Sequence, residues 1–231
     1  MATRPVFFSA AEGQGLVNTV AVDFKWHAGM ARSQKQRSVQ SLHAAALARF
    51  PGTRILEISS ASDNPLGVNL SAFHLTITTR QREITLECAF QASKVFENGG
   101  PYIDLLTVPP IEAKRDPRLQ NSGRLTGFRF FGQDWALEPV TAFYDWIYIN
   151  ALDLRPDLAE PACGFDAFTD IAFNPQKSVN CQAGAAALYV SLRRRGLLKT
   201  ALASREAYLA LISQEKNRVF GTDDKGQGLL F

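Results

Sequence analysis

Residues 20–58 run VAVDFKWHAGMARSQKQRSVQSLHAAALARFPGTRILEI. Val20, Val22, Phe24 and Trp26 alternate with other residues, the period-two pattern of a strand. From Ser33 to Phe50 the period lengthens: Val39, Leu42 and Ala46 fall on one side of a helix that Pro51-Gly52 ends. Arg54 to Ile58 reads as another strand, and a further one comes where Phe73, Leu75 and Ile77 alternate with His74, Thr76 and Thr78. Strand, helix and strand in succession, with helices dominating the rest of the chain, predict an α+β protein: a single mostly helical domain with a small β-sheet.

Further along the chain, Thr85 to Phe96 reads as a helix stopped by Asn98-Gly99-Gly100-Pro101, since glycine accepts the left-handed conformation past a helix end and proline cannot continue it. Leu137 to Leu152 reads as a buried aromatic-rich helix entered through Glu138-Pro139. Ser178 to Arg195 reads as another, with Val179, Ala183, Ala186, Ala187 and Val190 as its apolar stripe, arginines 193 to 195 at the negative end of its dipole and Gly196 closing it. A last helix is expected over Ser204 to Gln214. No internal repeat and no Pro/Gly/Ser-rich linker divides the chain, so residues 1–231 are expected to form one domain, with a strand/helix extension over about 1–53 and a flexible tail after about 220.

With 231 residues and 46 % hydrophobic content the chain can bury a sizeable core without disulfides. Cys88, Cys163 and Cys181 are odd in number and widely spaced, which suggests free thiols in a reducing compartment. The segment Met1 to Phe8 carries one arginine and a very short apolar run, and nowhere do about 18 apolar residues occur in a row. Secretion and membrane insertion are not expected, and the expected location is cytoplasmic. The net charge is only +3, yet between Asp23 and Glu57 there is no acidic residue, while Lys25, Arg32, Lys35, Arg37, Arg49 and Arg54 all fall there. Such a segment can hold a polyanion or an acidic partner; a solvated helix face plus a loop is the plain alternative, as charge runs usually are.

Chemistry concentrates in three places. Each helical residue turns by about 100°, so Glu87, Gln91 and Lys94, at i, i+4 and i+7, project from one face, bordered by apolar Phe90, Val95 and Phe96. Partial burial there favours the uncharged amine and a protonated carboxyl, while mutual attraction opposes both. A surface Glu and Lys bridged by Gln91 is the plain alternative. The second place is Asp170 to Asn180, leading into the helix after Ser178, where unpaired backbone N–H groups can seat a phosphate or carboxylate. The third is the hydroxyl-rich loop Ser59 to Gly67 between two strands, which turn chemistry also explains. His27, His43 and His74 occur singly and no CxxC pair or HxE element is present, which argues against a zinc site. Gly13-Gln14-Gly15 lacks the third glycine of a dinucleotide fingerprint, and no GxxxxGK occurs.

The segment Glu87-Cys88-Ala89-Phe90-Gln91-Ala92-Ser93-Lys94-Val95-Phe96 resembles the helix of the NADAR (YbiA-like) superfamily, whose pattern is close to E-H-x-F-Q-x-x-K-F. Ser60-Ala61-Ser62-Asp63 through Gly67 and Ser71-Ala72-Phe73 resemble that family's serine-rich loop and S-N-F element, and Asp170 with Asn180 its late aspartate and asparagine. The stretches 33–36 (SQKQ), 99–106 (GGPYIDLL), 141–146 (TAFYDW) and 173–183 (FNPQKSVNCQA) further resemble the antitoxin branch found beside DarT-type DNA ADP-ribosyltransferases. Cys88 stands where the family has histidine, Ala72 where it has asparagine, and the tryptophan often found before the helix is absent. The resemblance implies removal of ADP-ribose from guanine bases in DNA, reversing the toxin, with no cofactor and no metal. It implies catalytic roles for Glu87, Lys94 and Asp170. Ser62, Asp63, Gly67, Ser71, Phe73, Gln91, Ser178 and Asn180 become candidates for holding substrate, and Lys114, Arg115 and Arg118 for holding pyrophosphate or DNA. The expected partners are ADP-ribosylated DNA and a DarT-type toxin. A non-catalytic toxin-binding antitoxin and an N-glycosidase for a free small metabolite are the competing readings.

Overall fold

The computed structural model describes residues 1–220 apart from Gln14, Met30, Arg80, Gln81 and Lys177, and describes the side chains up to residue 214. The tail expected after residue 220 lies outside the described residues. In chain order the elements are β1 (Ala2–Ser9), β2 (Val17–Phe24), α1 (Arg32–Arg49), β3 (Ile55–Glu57), α2 (Pro65–Asn69), β4 (Thr76–Thr78), β5 (Glu83–Thr85), α3 (Leu86–Ala92) and β6 (Lys94–Phe96). A 3-10 turn (Ile103–Thr107) precedes α4 (Pro110–Arg115), α5 (Arg118–Asn121), β7 (Leu125–Phe130), β8 (Gln133–Trp135), α6 (Ala142–Asp153) and α7 (Pro156–Ala162). Then come β9 (Ala167–Thr169), α8 (Gln182–Arg194), α9 (Leu198–Ala203) and α10 (Arg205–Phe220). The class is α+β, as the sequence predicts.

A four-stranded sheet in the order β2-β1-β9-β3 organises the site. β3 and β9 run parallel, with Ile55 opposite Ala167 and Glu57 opposite Thr169, whereas β1 is antiparallel to both β2 and β9. One face of this sheet packs on α1 through Val6, Val22, Phe24, Val39, Leu42 and Ala46. The other belongs to the main core, where Leu56, Ile58 and Phe168 meet α6 and α8. Alternation of side chains across the strands separates the two faces, which is why Ala167 lies in one cluster and Phe168 in the other. Among the described residues no helix is long and apolar enough to cross a membrane.

Four local expectations are corrected. The helix predicted over Thr85–Phe96 ends at Ala92, and Lys94–Phe96 form a strand paired with β7, Lys94 opposite Phe128. Residues 71–74 form a turn, so the strand there is only Thr76–Thr78. The helix predicted from Leu137 starts at Ala142. That predicted from Ser178 starts at Gln182, which leaves Ser178 and the 59 %-exposed Val179 in the preceding loop.

Candidate active site

α3 opens in a polar cap and runs into the core. The Thr85 hydroxyl accepts from the Cys88 N–H, closing the first turn. Every residue of α3 is buried, Glu87 and Gln91 included. A carboxylate so placed needs partners. Glu87 Oε1 accepts from Gln91 Nε2 at 2.8 Å and lies 3.7 Å from Lys114 Nζ. The Gln91 Oε1 is buried without a partner, an acceptor left over beside the carboxylate.

Lys94 reaches this group from β6 instead of from the helix. Its Nζ sits 4.8 Å over the Phe90 ring. Burial pulls the amine below its ordinary pKa; the Glu87 charge opposes that and Lys114 reinforces it. The backbone is held as tightly: the Ser93 hydroxyl donates to Ala89 O at 2.7 Å, and the Arg129 N–H donates to Ser93 O at 2.7 Å. Gly100, at φ +85°, lies so close that a Cβ there would stand 2.2 Å from Lys94 O. Lys114, on α4, lies 5.3 Å over the Phe73 ring. The Tyr144 phenol, on α6, is pushed well above its ordinary pKa by burial and then by the Glu87 charge, with a smaller push from Asp170, so it lies within the field of both carboxylates.

Asp170 joins through backbone. It comes directly after β9, and its Oδ1 accepts from the Ala172 and Phe173 N–H groups at 2.9 and 3.1 Å. Its Oδ2 accepts from Gln182 Nε2 at 3.0 Å. The same Gln182 amide donates to Ile58 O at 2.6 Å and accepts from the Ala72 N–H at 2.8 Å, while Ala72 O accepts from the Glu87 N–H at 2.9 Å. One glutamine side chain and the backbone of one residue, Ala72, thus tie Asp170 to the start of α3. Burial, and after it the charge of Glu57, raise Asp170 to a pKa of about 7.

Glu57, a strand residue that the sequence does not single out, is 2 % exposed and itself raised by burial. It accepts from the Ser59 hydroxyl at 2.7 Å, the Thr169 hydroxyl at 2.7 Å and the Ile171 N–H at 2.9 Å. Thr169 Oγ1 in turn meets His43 Nε2 at 2.8 Å; burial lowers His43 to about 4, and because the Thr169 hydroxyl gives its proton to Glu57, the neutral ring is the donor to it through Nε2. The one signal of Glu57 in the sequence is an acid placed between Leu56 and Ile58 in an apolar strand.

The remaining sequence candidates divide. Ser62 is buried, and its hydroxyl accepts from the Asn64 N–H at 3.3 Å. Gly67 lies inside α2, where a Cβ would stand 1.9 Å from Glu57 O. Ser71 donates to Val68 O at 2.6 Å and contacts His74 Nδ1 at 2.9 Å. Asp63 is exposed, 3.5 Å from Gln40 Nε2. Arg118 is occupied by Asp104 and Asp116 and stacks on Tyr102 at 4.4 Å, and Arg115 is exposed. Ser178 is exposed and donates to the carbonyl of half-buried Asn180 at 3.3 Å, so it starts no helix. A cavity of about 320 Å³ between Phe7, Leu16, Val140, Leu188 and Tyr208 is lined by none of Glu87, Lys94 and Asp170.

An amine of lowered basicity beside a carboxylate held by an amide donor, with a second carboxyl that keeps its proton to near neutrality, is equipment for acid–base and covalent chemistry at an electrophilic carbon. The sequence profile of the DarT1-associated NADAR antitoxin matches residues 2–220, and the chain belongs to that family. No curated protein matches the chain.

Proposed function

We propose that the protein is an ADP-ribosyl glycohydrolase that removes ADP-ribose from guanine bases in DNA and so undoes the work of a DarT-type transferase. The observation that carries this reading is Lys94: an amine of depressed basicity, fixed over Phe90 within the field of Glu87. Membership in an antitoxin family associated with DarT1 supports the substrate. An N-glycosidic bond breaks through an oxocarbenium-like state, which needs negative charge near the anomeric carbon and a proton for the departing base. Glu87 supplies the charge. Asp170, protonated up to about pH 7, supplies the proton. The neutral Lys94 amine bonds to the anomeric carbon as the carbon–nitrogen bond to guanine breaks and the base leaves with its electron pair and the Asp170 proton. Ring opening then gives an imine, which water hydrolyses to free ADP-ribose and the amine. Gln91 and Gln182 hold the two carboxylates, and Lys114 offsets the charge of Glu87.

Incubation with an oligonucleotide carrying ADP-ribosyl-guanine tests the reaction: free ADP-ribose and intact unmodified strand are expected. Toxin neutralised with no ADP-ribose released would replace this reading by a contact antitoxin. Borohydride added during turnover is expected to leave a stable ADP-ribosyl mass on the peptide containing Lys94. No adduct across a range of pH would replace the covalent route by water attack assisted by Glu87.

A further inference from the structure

The parallel strands β3 and β9 end at the same edge of the sheet, and their loops, Ser59–Asn64 and Asp170–Cys181, leave from it, the usual place for a ligand in such an arrangement. Two other features share this edge. Antiparallel pairing sets Phe7 opposite Phe168 and Phe8 opposite Ala167, so continuing the register brings Arg4 level with Ile171, the neighbour of Asp170. Ala2 pairs with Phe24, so Trp26 stands just past the same end of β1. Arg32, opening α1, donates to Ser62 O at 3.2 Å and closes the group against the serine loop.

Trp26 is 38 % exposed, although it lies in a segment that is firmly held. The N–H on either side is fixed by α1: Lys25 N–H donates to Ser41 Oγ at 3.1 Å, and His27 N–H to the fully buried Ser38 Oγ at 2.9 Å. The indole packs edge-on against Phe24, with 6.2 Å between ring centroids, and the Arg4 guanidinium lies 5.4 Å over it. Trp135 is 5 % exposed and Trp146 half-buried, so Trp26 is the indole most open to solvent. Arg4 has an incomplete set of partners among the described residues. Its Nη1 donates to Thr3 O at 2.9 Å, and its Nε is buried with none. The carboxylate of Asp170 acts on it electrostatically without forming an ion pair. Lys25 adds an exposed cation beside the indole.

We infer that Arg4 and Trp26 form a platform for the polynucleotide strand next to the modified nucleotide, a neighbouring base stacking on the open part of the indole and its phosphate taking the terminal Nη donors of the guanidinium that Thr3 leaves over. A rigid aromatic face backed by cations is the chemistry of sequence-tolerant single-strand binding, because every base offers a π-face. The inference rests on the proposal that the substrate is a nucleic-acid strand, and it reaches residues that the catalytic step does not use.

The test is binding of an unmodified single-stranded oligonucleotide, as DNA and as RNA, monitored by tryptophan fluorescence. Quenching on titration is expected, and it should vanish in Trp26→Phe, which keeps a ring but loses the responding indole. By competition against a labelled strand, Trp26→Ala is expected to lose affinity by about tenfold, the scale of one base stack. Arg4→Ala should also weaken binding and lower its salt dependence. Trp26→Phe should retain most of the affinity, and Lys199→Ala, a lysine removed elsewhere on the surface, all of it. Unchanged strand affinity in Trp26→Ala overturns the platform. So does quenching by free ADP-ribose with none by the unmodified strand, which would give the indole to the adenine of the substrate. Hydrolysis in an enzyme whose indole ignores the strand removes the platform and keeps the catalytic reading. Quenching without hydrolysis does the reverse.

Discussion

Lys94 and Glu87 hold each other in check. Burial lowers the basicity of the amine while the Glu87 carboxylate opposes that shift, and the nucleophile proposed for this site draws on both. Lys94→Ala and Glu87→Gln are each expected to lower turnover of ADP-ribosyl-guanine by at least about a hundredfold while leaving the fold intact, the scale for losing a positioned nucleophile, acid or base. Lys94→Arg keeps a charge but cannot form an imine, so it should abolish borohydride trapping. Near-wild-type turnover in either variant would make the buried face structural. Asp170 carries a separate prediction. It binds its proton more tightly folded than unfolded, so its contribution to stability is full below the unfolded value near 4 and is lost as pH rises through about 7. His43 works oppositely: burial lowers it to about 4, so its contribution is full above about 6.5 and is lost as pH falls through about 4. The melting temperature of Asp170→Asn minus that of wild type should therefore rise as pH goes from about 5 to about 8, because only the wild type must then ionise a buried carboxyl. A difference independent of pH would mean that Asp170 ionises freely in the folded protein.

Among the helices and strands, what the sequence shows depends on how far away the deciding partner lies. Strand β2 and helix α1 are legible because their periodicity is local: Val22 and Phe24, and then Val39, Leu42 and Ala46, are buried as the pattern requires. The grouping of Glu87, Gln91 and Lys94 is also legible, but its geometry is not. Ser93 to Phe96 suits a helix as well as a strand, and the choice falls to β7, whose Phe128 pairs with Lys94 from 34 residues further on. The start of α8 shows a related failure: Asn174 O takes the Ser178 N–H in a turn, and no local signal in Ser178 to Asn180 separates that from a first helical turn. Glu57 escapes a sequence reading because its partners Thr169 and Ile171 are more than a hundred residues away in the chain. Gly67 reads as turn chemistry in the sequence, whereas it is a close approach of α2 to the Glu57 carbonyl. Its methyl would stand 1.9 Å from that oxygen and 2.5 Å from Ser62 Oγ. Gly67→Ala is expected to cost about 1–3 kcal/mol, as overpacking does. At this chain length that is a fall of a few degrees or more in melting temperature. Because the displaced atoms belong to Glu57 and the serine loop, turnover should fall more than stability alone accounts for. A stable, fully active variant would show that α2 can shift without disturbing the site.

Across the molecule as a unit, the acid-free segment proves to be two things at once. Arg54 pairs with Asp166, Arg49 donates to Ala21 O at 2.8 Å, and Arg32 is spent on Ser62 O, so half of the cations counted in the sequence hold the fold together. Lys25, Lys35 and Arg37 make no ion pair among the described residues, and Lys25 and Arg37 are exposed. A phosphate backbone that meets these three releases its counterions, and single strands give a slope of about −0.7 per contact in a plot of log affinity against log salt. These three contacts contribute a slope near −2 in addition to any contact at Arg4, so cleavage of a modified single-stranded oligonucleotide at sub-saturating concentration should slow by at least about ten- to twentyfold between roughly 50 and 200 mM salt. Cleavage of an ADP-ribosylated mononucleoside, which offers those cations nothing, should change little. Replacing Lys25, Lys35 and Arg37 together by glutamine should flatten the oligonucleotide curve toward the nucleoside curve. Base reading separates from strand reading in the same assay: a site that pairs with the edge groups of guanine leaves them unmatched on thymine, so the thymine-linked substrate should be cleaved more slowly at every salt concentration. Equal salt dependence for oligonucleotide and nucleoside would take DNA away from the basic face and leave it to the toxin or to solvent. Equal rates on guanine and thymine would leave a site that grips ADP-ribose and ignores the base.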